Sequence, residues 1–515
     1  MALPACRVST GNSALIGRRT GTGSSTNETK CGLVSGDCAD NLGPSAHAKN
    51  EKSTMKECLN DRTGSLIVSL LAGLASTGLA SAAELNVPGQ YPTVPAAVNA
   101  ATNGDTIHVA PGVYLAQITI AHKNLTLVGA PGAVIRATTN LTQTLLQFGA
   151  SLRSCLGIVD SDVVIRDLTF EGEQLGDTWP SDQGFAGICA FRSHARLERC
   201  TVQGFIGALI DGDGYGLFAG NTPVSGIATA DIQVRNCTFA HNATSIELQQ
   251  INPSSALVLM RFTVESNTIS GIGPTGAGGQ GGIVIGPGAT GEVKGNTISG
   301  HSRIGGGLVD GSYGVLGFDS YAFYHQEPPV PLQAIRYEAN TFRDNQQHLA
   351  SILSHGSQFV NNTFQGAGTG LRPFAIALSG KTNLVSGNSF SNLPVGILLF
   401  GDDPDFGTYL GLASDPRLLD NRFCQVATPL ITEPQVTGVT EQGTLVCPYP
   451  PPTLDIAPAV LLSWTVVDSD YVVECAPNAA GPWTWLGIAP TMAANEATVT
   501  VKTTDAARFF RLQKP

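Results

Sequence analysis

The sequence predicts an all-β chain: a right-handed parallel β-helix with an N-terminal capping helix, followed by a small β-sandwich. Three observations predict it. Glycine supplies 60 of 515 residues, against a usual share of about 7%. Charged residues are only 13%, roughly half the typical share. Many glycines and few charges mean short strands and tight turns, with little amphipathic helix. The third observation is a short phrase that recurs along the middle of the chain.

The phrase reads Val264-Glu-Ser-Asn-Thr-Ile269, Val293-Lys-Gly-Asn-Thr-Ile298, Tyr337-Glu-Ala-Asn-Thr-Phe342, Phe359-Val-Asn-Asn-Thr-Phe364, Val385-Ser-Gly-Asn-Ser-Phe390 and Leu418-Leu-Asp-Asn-Arg-Phe423. Degenerate copies precede it around Leu168, Cys200 and Cys237. Copies recur every 22 to 44 residues or so, as coils with loops of variable length would. Between copies lies a second apolar strand opened by glycine, as in Gly282-Ile-Val-Ile285, Gly314-Val-Leu316 and Gly396-Ile-Leu-Leu399. Four or five residues are too few for a helix.

One coil cannot bury its apolar face alone. Coils stacked about 4.8 Å apart give each strand a hydrogen-bonded neighbour above and below. The recurrent Asn is expected at a fixed corner, accommodating a left-handed turn and bonding along the stack. Leu168, Cys200 and Cys237 hold that corner in the early coils. The corner is therefore buried, and the two cysteines read as core thiols rather than as ligands.

The first coil contains Tyr91-Pro-Thr-Val-Pro-Ala-Ala-Val, Gly104-Asp-Thr-Ile107, Pro111-Gly-Val-Tyr114 and Lys123-Asn-Leu-Thr-Leu-Val-Gly129. On these motifs, residues 85–450 or so resemble the pectate-lyase-like right-handed parallel β-helix superfamily. The resemblance implies the fold and leaves the activity open, because this fold hosts lyases, hydrolases, esterases, epimerases and non-catalytic binders. The paired aspartates before His-Gly of polygalacturonase-type hydrolases do not occur in that order here. Ser354-His-Gly356 instead precedes Gly401-Asp-Asp403. The methylesterase aspartate and arginine contexts and the epimerase Asp-Pro-His-Glu phrase are absent. β-Elimination needs only a base and a positive group that neutralises the uronate carboxylate, and scattered coils can supply both.

Residues 1–54 are rich in small polar residues and read as a start codon assigned too early or as a disordered leader. Residues 55–82 read as a signal peptide: Lys56 and Arg62, an apolar run from Ser65 to Leu79, then Ala80-Ser-Ala82. The run is short for a membrane span. The expected destination is secretion or the cell surface, with no membrane span in the mature chain. The β-helix is assigned to 83–447, a Pro-rich linker to 448–452, and 453–515 to a module resembling fibronectin-type-III-like domains of secreted bacterial proteins. Its Trp464, Trp483 and Trp485 read as core fillers, or as a platform for sugars. Seven of the 11 cysteines follow the signal, with no CxxC pair, which argues against zinc. Export permits disulfides, and Cys424 with Cys447, flanking the end of the main domain, is the expected pair.

A net charge of −11 with no basic cluster argues against nucleic acid. The expected partner is an extracellular polysaccharide, bound by a monomer. Long insertions at Asp211–Ala230, Ser320–Ile335 and Gly401–Arg417 share one phase of the coil and hence one edge of the helix. The last two are expected to wall a cleft about 10 Å wide, whose floor carries His355 and Lys381. Tyr321, Phe323, Tyr324, His325, Glu327 and Arg336 are the candidate substrate contacts. His355, Lys381, Asp402 and Asp403 are the candidate catalytic groups. No cofactor is required outright; Ca²⁺ held by Asp402, Asp403 and Asp405 is the one candidate. Asp211-Gly-Asp213 reads as a glycine-rich turn, because Thr222 stands where a calcium loop needs Glu. Two functions stay open: a polysaccharide lyase on an acidic glycan, and a non-catalytic carbohydrate-binding, adhesive or structural protein.

Overall fold

The computed structural model describes residues 82–447 apart from 146–150, 179–183, 208–213, 222–228, 251–258, 276–277, 305–310, 320–328, 367–373 and 402–410; beyond 447 it describes 459–465, 472–476, 479–488, 490–493, 496–502 and 509–513. The leader, the signal segment up to residue 81 and the linker 448–452 lie outside the described residues, as does Asp211-Gly-Asp213.

The main body is a parallel β-helix. Its first sheet stacks 13 strands in chain order, from Glu84–Val87 to Thr440–Gln442. A second sheet carries the strands after the Asn corner, such as Thr297–Arg303 and Thr363–Gln365. A third carries the glycine-opened strands, such as Gly281–Ile285 and Tyr313–Gly317. Among the described residues the stacking is parallel, apart from a local antiparallel pairing of Gln143–Leu145 with Ser151–Val159 and an isolated antiparallel bridge between Leu175 and Gly207.

Strict register turns the repeat into columns. Val202, Phe239, Ile269, Ile298, Phe342, Phe364, Phe390 and Phe423 oppose one another in successive coils and are all buried. The last four rings stack with centroids 4.8, 5.1 and 4.6 Å apart. Each buried ring contributes roughly 1.5–3 kcal/mol. The strand-opening glycines have a steric cause: a Cβ on Gly282 would lie 2.3 Å from the Gly314 carbonyl oxygen of the next coil, and one on Gly314 2.7 Å from that of His348.

The Asn corner is a buried ladder through Asn267, Asn296, Asn340, Asn362, Asn388 and Asn421. Each Oδ1 accepts from the backbone N–H and the Nδ2 of the Asn one coil earlier, as where Asn362 N and Nδ2 donate to Asn388 Oδ1 at 2.8 and 3.0 Å. Each Nδ2 also donates back to a carbonyl, Asn362 to that of Tyr337 at 3.0 Å. One expectation is corrected here. The left-handed residue is the one before the Asn, with φ of 57° at Ser266, 56° at Asn361 and 54° at Asp420. The Asn itself is kept for its amide, which matches donor and acceptor to two coils at once. Cys237 tops the ladder, its N–H donating to Asn267 Oδ1 at 2.8 Å. Cys200 and Cys237 are buried free thiols.

A second corner buries two histidines. His301 N and Nδ1 donate to Asn345 Oδ1 at 3.1 and 2.9 Å. Asn345 Nδ2 donates to the Ile298 carbonyl and to His348 Nδ1, and His348 Nε2 donates to the Gly366 carbonyl at 3.0 Å. The Asn345 Oδ1 and the Gly366 carbonyl, which can only accept, therefore define the tautomers of His301 and His348, and His301 Nε2 is buried without a partner among the described residues. Burial pushes both imidazoles down to about 4.

A seven-residue helix, Val94–Ala100, closes the N-terminal end. Thr93 caps it by accepting from Ala96 N, and Val94, Ala97 and Val98 enter the main core. Among the described residues no helix is long and apolar enough to cross a membrane. At the other end, Cys424 and Cys447 oppose each other in adjacent coils and form a disulfide. Beyond the linker, two three-stranded antiparallel sheets share a small core of Val473, Val499 and Val501. Two of the tryptophans, Trp483 and Trp485, do not build that core as expected. Trp485 is exposed and Trp483 lies under the Arg511 guanidinium, 4.5 Å from its ring centre. The side chain of Trp464 lies outside the described residues.

Two outcomes follow from these corners. Asn362→Ala removes partners of buried groups in the two neighbouring coils and should cost about 3 kcal/mol, read as a fall in denaturation midpoint; a change under about 1 kcal/mol would refute the ladder's role. The histidines are neutral when folded and bind protons more readily when unfolded. Their stabilising contribution is complete above about pH 6.5 and declines as pH falls toward about 4, by on the order of 3 kcal/mol per ring at most. Thermal scans across that window should show this loss, and His348→Gln should flatten it.

Candidate functional site

Along each strand of the first sheet, side chains alternate between core and solvent. Leu197, Val234, Val264, Val293 and Tyr337 point inward and are fully buried. The residues between them form outward columns. One column reads Arg166, Glu198, Arg235, Glu265, Lys294, Glu338 in successive coils. It neutralises itself: Arg166 meets Glu198 at 2.8 Å, Arg235 meets Glu265 at 3.3 Å and Lys294 meets Glu338 at 3.8 Å.

Beside this ladder lies a groove of about 530 Å³. It crosses five coils, entered in turn by Asp231 and Gln233, Arg261 and Thr263, Thr290 and Glu292, Ala334 and Arg336, and Gly356 and Gln358. At about 4.8 Å per coil the groove runs close to 20 Å along the axis. Its charges are arranged unlike the ladder's. Arg261 and Glu292 are exposed and neither makes an ion pair among the described residues. They sit in different columns, Arg261 opposite Thr290 and Glu292 opposite Thr263, so they meet only on the diagonal, roughly 7–8 Å apart at the backbone.

Arg336 is held more firmly. Its Nε donates to Glu338 Oε2 at 3.0 Å and its Nη1 donates to Gln358 Oε1. The bond to Glu338 raises the guanidinium further above its ordinary range, with Glu292 adding to the effect. Arg336 in turn holds the Glu338 carboxyl below its usual range. At the far end Gln233 Nε2 donates to Asp231 Oδ2 at 3.0 Å.

His355 and Lys381 meet at the groove's edge. They occupy the short turns between the third and first sheets, in adjacent coils. Lys381 N donates to His355 Nδ1 at 3.1 Å, and Gly356 N donates to the Lys381 carbonyl at 2.9 Å. Both side chains are exposed, and Gly356, next to His355, lines the groove. A backbone N–H can only donate, so Nδ1 accepts and the neutral ring carries its proton on Nε2. In this arrangement the exposed His355 ring carries a donor next to Gly356 of the groove lining.

Of the sequence candidates, the structure brings His355 and Lys381 together and lines the groove with Arg336. Tyr321, Phe323, Tyr324, His325 and Glu327 lie outside the described residues, as do Asp402, Asp403 and Asp405. Among the described residues no group of three or more His, Cys, Asp or Glu could hold a metal. Asp231, Arg261, Glu292 and Gln358 are groove residues that the sequence reading missed. Their signal is the period-two alternation of the strand itself, as in Met260-Arg-Phe-Thr-Val264.

The stacked parallel coils and the outer-face groove define a β-helix protein with a surface site. The family described as right handed beta helix region matches residues 131–390, half of the chain, and the chain belongs to that family. Among solved structures it is similar to the A-module of a mannuronan C-5 epimerase from Azotobacter vinelandii, at 14% identity and TM-score 0.40, covering 68% of this chain and 93% of that one. It is also similar to a mannuronic-acid-specific family 6 polysaccharide lyase from human gut microbiota, at 13% identity and TM-score 0.40, covering 70% and 83%. No curated protein matches the chain by sequence.

Proposed function

We propose that this chain is an exported protein that binds an acidic polysaccharide along the groove of its first sheet. The observation that carries the reading is Arg261: an exposed guanidinium in the middle of the groove, without an ion pair among the described residues, while the neighbouring ladder pairs its own charges. A free cation beside a self-neutralised ladder is suited to a ligand carboxylate. Arg336, fixed by Glu338 and Gln358, offers a second, pre-oriented fork. The His355 Nε2–H adds a donor at the rim. The groove mixes charged and amide side chains with apolar surface from Phe262, Ala334 and Ile335, a combination that suits the hydroxyls and ring faces of a glycan.

A catalytic reading draws on Lys381, exposed at the same rim. In β-elimination its amine would take the proton from C5 of a uronate. The C5–H electrons would form the C4–C5 double bond while the bond from C4 to the glycosidic oxygen breaks, and that oxygen would leave with its electron pair. Arginine would stabilise the carboxylate as charge develops. His355 fits this step as a donor, because its Nδ1 is occupied by the Lys381 N–H.

Calorimetric titration against uronate-rich and neutral glycans checks the binding reading. The uronate glycan should bind with an affinity that falls as salt rises, and Arg261→Gln should weaken it about tenfold, the scale of one charge-assisted hydrogen bond. Equal affinity for neutral glycans, or no effect of Arg261→Gln, would defeat it. For the lyase reading, the ultraviolet absorbance of unsaturated uronate should grow with time and vanish in Lys381→Ala.

A further inference from the structure

The signs of the charges lining the groove follow the coils. Asp231, Arg261, Glu292 and Arg336 come from four successive strands of the first sheet. They read negative, positive, negative, positive. Cations therefore recur every second coil, about 10 Å apart along the axis, with a carboxylate midway between. Alternation alone would be explained by mutual neutralisation across strands, and in the neighbouring ladder it is, since those members touch. In the groove Asp231 faces Arg261 and Arg336 faces Glu292, yet among the described residues Arg261 and Glu292 make no ion pair and both are exposed, so their charges are open to whatever lies in it.

A pyranose chain laid along the axis advances by roughly one coil rise per sugar. Each coil then addresses one sugar. A carboxylate on every sugar would bring alternate units against Asp231 and Glu292. A carboxylate on every second sugar would meet only arginines, and the intervening neutral sugars could donate their hydroxyls to the two acids. Taking the acidic-polysaccharide reading above as its basis, we propose that the groove selects a glycan with a disaccharide repeat, one uronate and one neutral sugar, over a homopolymer of uronates. Glu292 is the residue that rejects the homopolymer: it faces Arg336 across adjacent coils, but that guanidinium is already held by Glu338 and Gln358, so the Glu292 carboxylate stays exposed beside Arg261.

The test is calorimetric titration of the intact protein with three size-matched oligosaccharides: an alternating glucuronate and N-acetylhexosamine oligomer, a homouronate oligomer and a neutral oligomer. The alternating oligomer should bind about tenfold more tightly than the homouronate. Glu292→Gln should bring the two within about threefold by tightening the homouronate, and Arg261→Gln should weaken both. Homouronate binding as tight as or tighter than the alternating oligomer overturns the selectivity while leaving acidic-glycan binding intact, and so does an unchanged ratio in Glu292→Gln. Failure of both acidic oligomers to bind better than the neutral one overturns the underlying reading and this proposal with it.

Discussion

The structure depends on the hydrogen bonding between stacked coils, and above all on the way its corners are satisfied. A strand in a parallel stack finds its partners above and below without help from side chains. A corner cannot, because the chain turns there and buried backbone groups lose their regular partners. The Asn ladder solves this with one side chain per coil. Its Oδ1 takes an N–H from one neighbouring coil, and its Nδ2 returns a hydrogen bond to a carbonyl. Each rung is satisfied only when the next coil is in register, so the corner enforces the register that lines up the phenylalanine column. The second corner does the same with Asn345 and two histidines, but with titratable groups, which places an acid limit on the fold.

Much of this architecture was legible because it is periodic. Valine and phenylalanine at fixed offsets from Asn can be read from one chain, and the first sheet, the Asn ladder and the buried early thiols follow. The backbone detail at the corner was not legible. The sequence shows Asn where the side chain is needed, whereas the left-handed conformation is taken one residue earlier by Ser266, Asn361 or Asp420, a position whose identity varies. The tryptophans of the C-terminal module misled for a different reason. Here Val473, Val499 and Val501, with Leu462, Leu486 and Phe510 packed against them, form the described core, and an arginine covers Trp483 instead.

The site was legible only in part. His355 and Lys381 were drawn together by the phase of the insertions, and they do meet. Their bond, however, runs from a backbone N–H, which no sequence pattern announces. That geometry makes the imidazole a donor at Nε2. Arg261 and Glu292 went unremarked because they look like ordinary solvent-facing members of an alternating strand. What separates them from Arg235 and Glu265 is contact. The latter pair lies in one column and meets at 3.3 Å, whereas the former pair is offset by two residues and does not meet.

That offset also explains how a rigid fold can carry a selective surface. Outward side chains on a β-helix do not pack into the core, so their charges can change without cost to the phenylalanine column or the Asn ladder. Their spacing, in contrast, is dictated by the coil rise. A ligand that matches this rise therefore reads a pattern held in place by the core but not constrained by it. The charges along Arg166 to Glu338 meet and neutralise each other. In the groove, Arg261 and Glu292 face Asp231 and Arg336 across adjacent coils and make no ion pair among the described residues. The groove and the structural ladder are thus made from the same strands and differ in which outward charges meet.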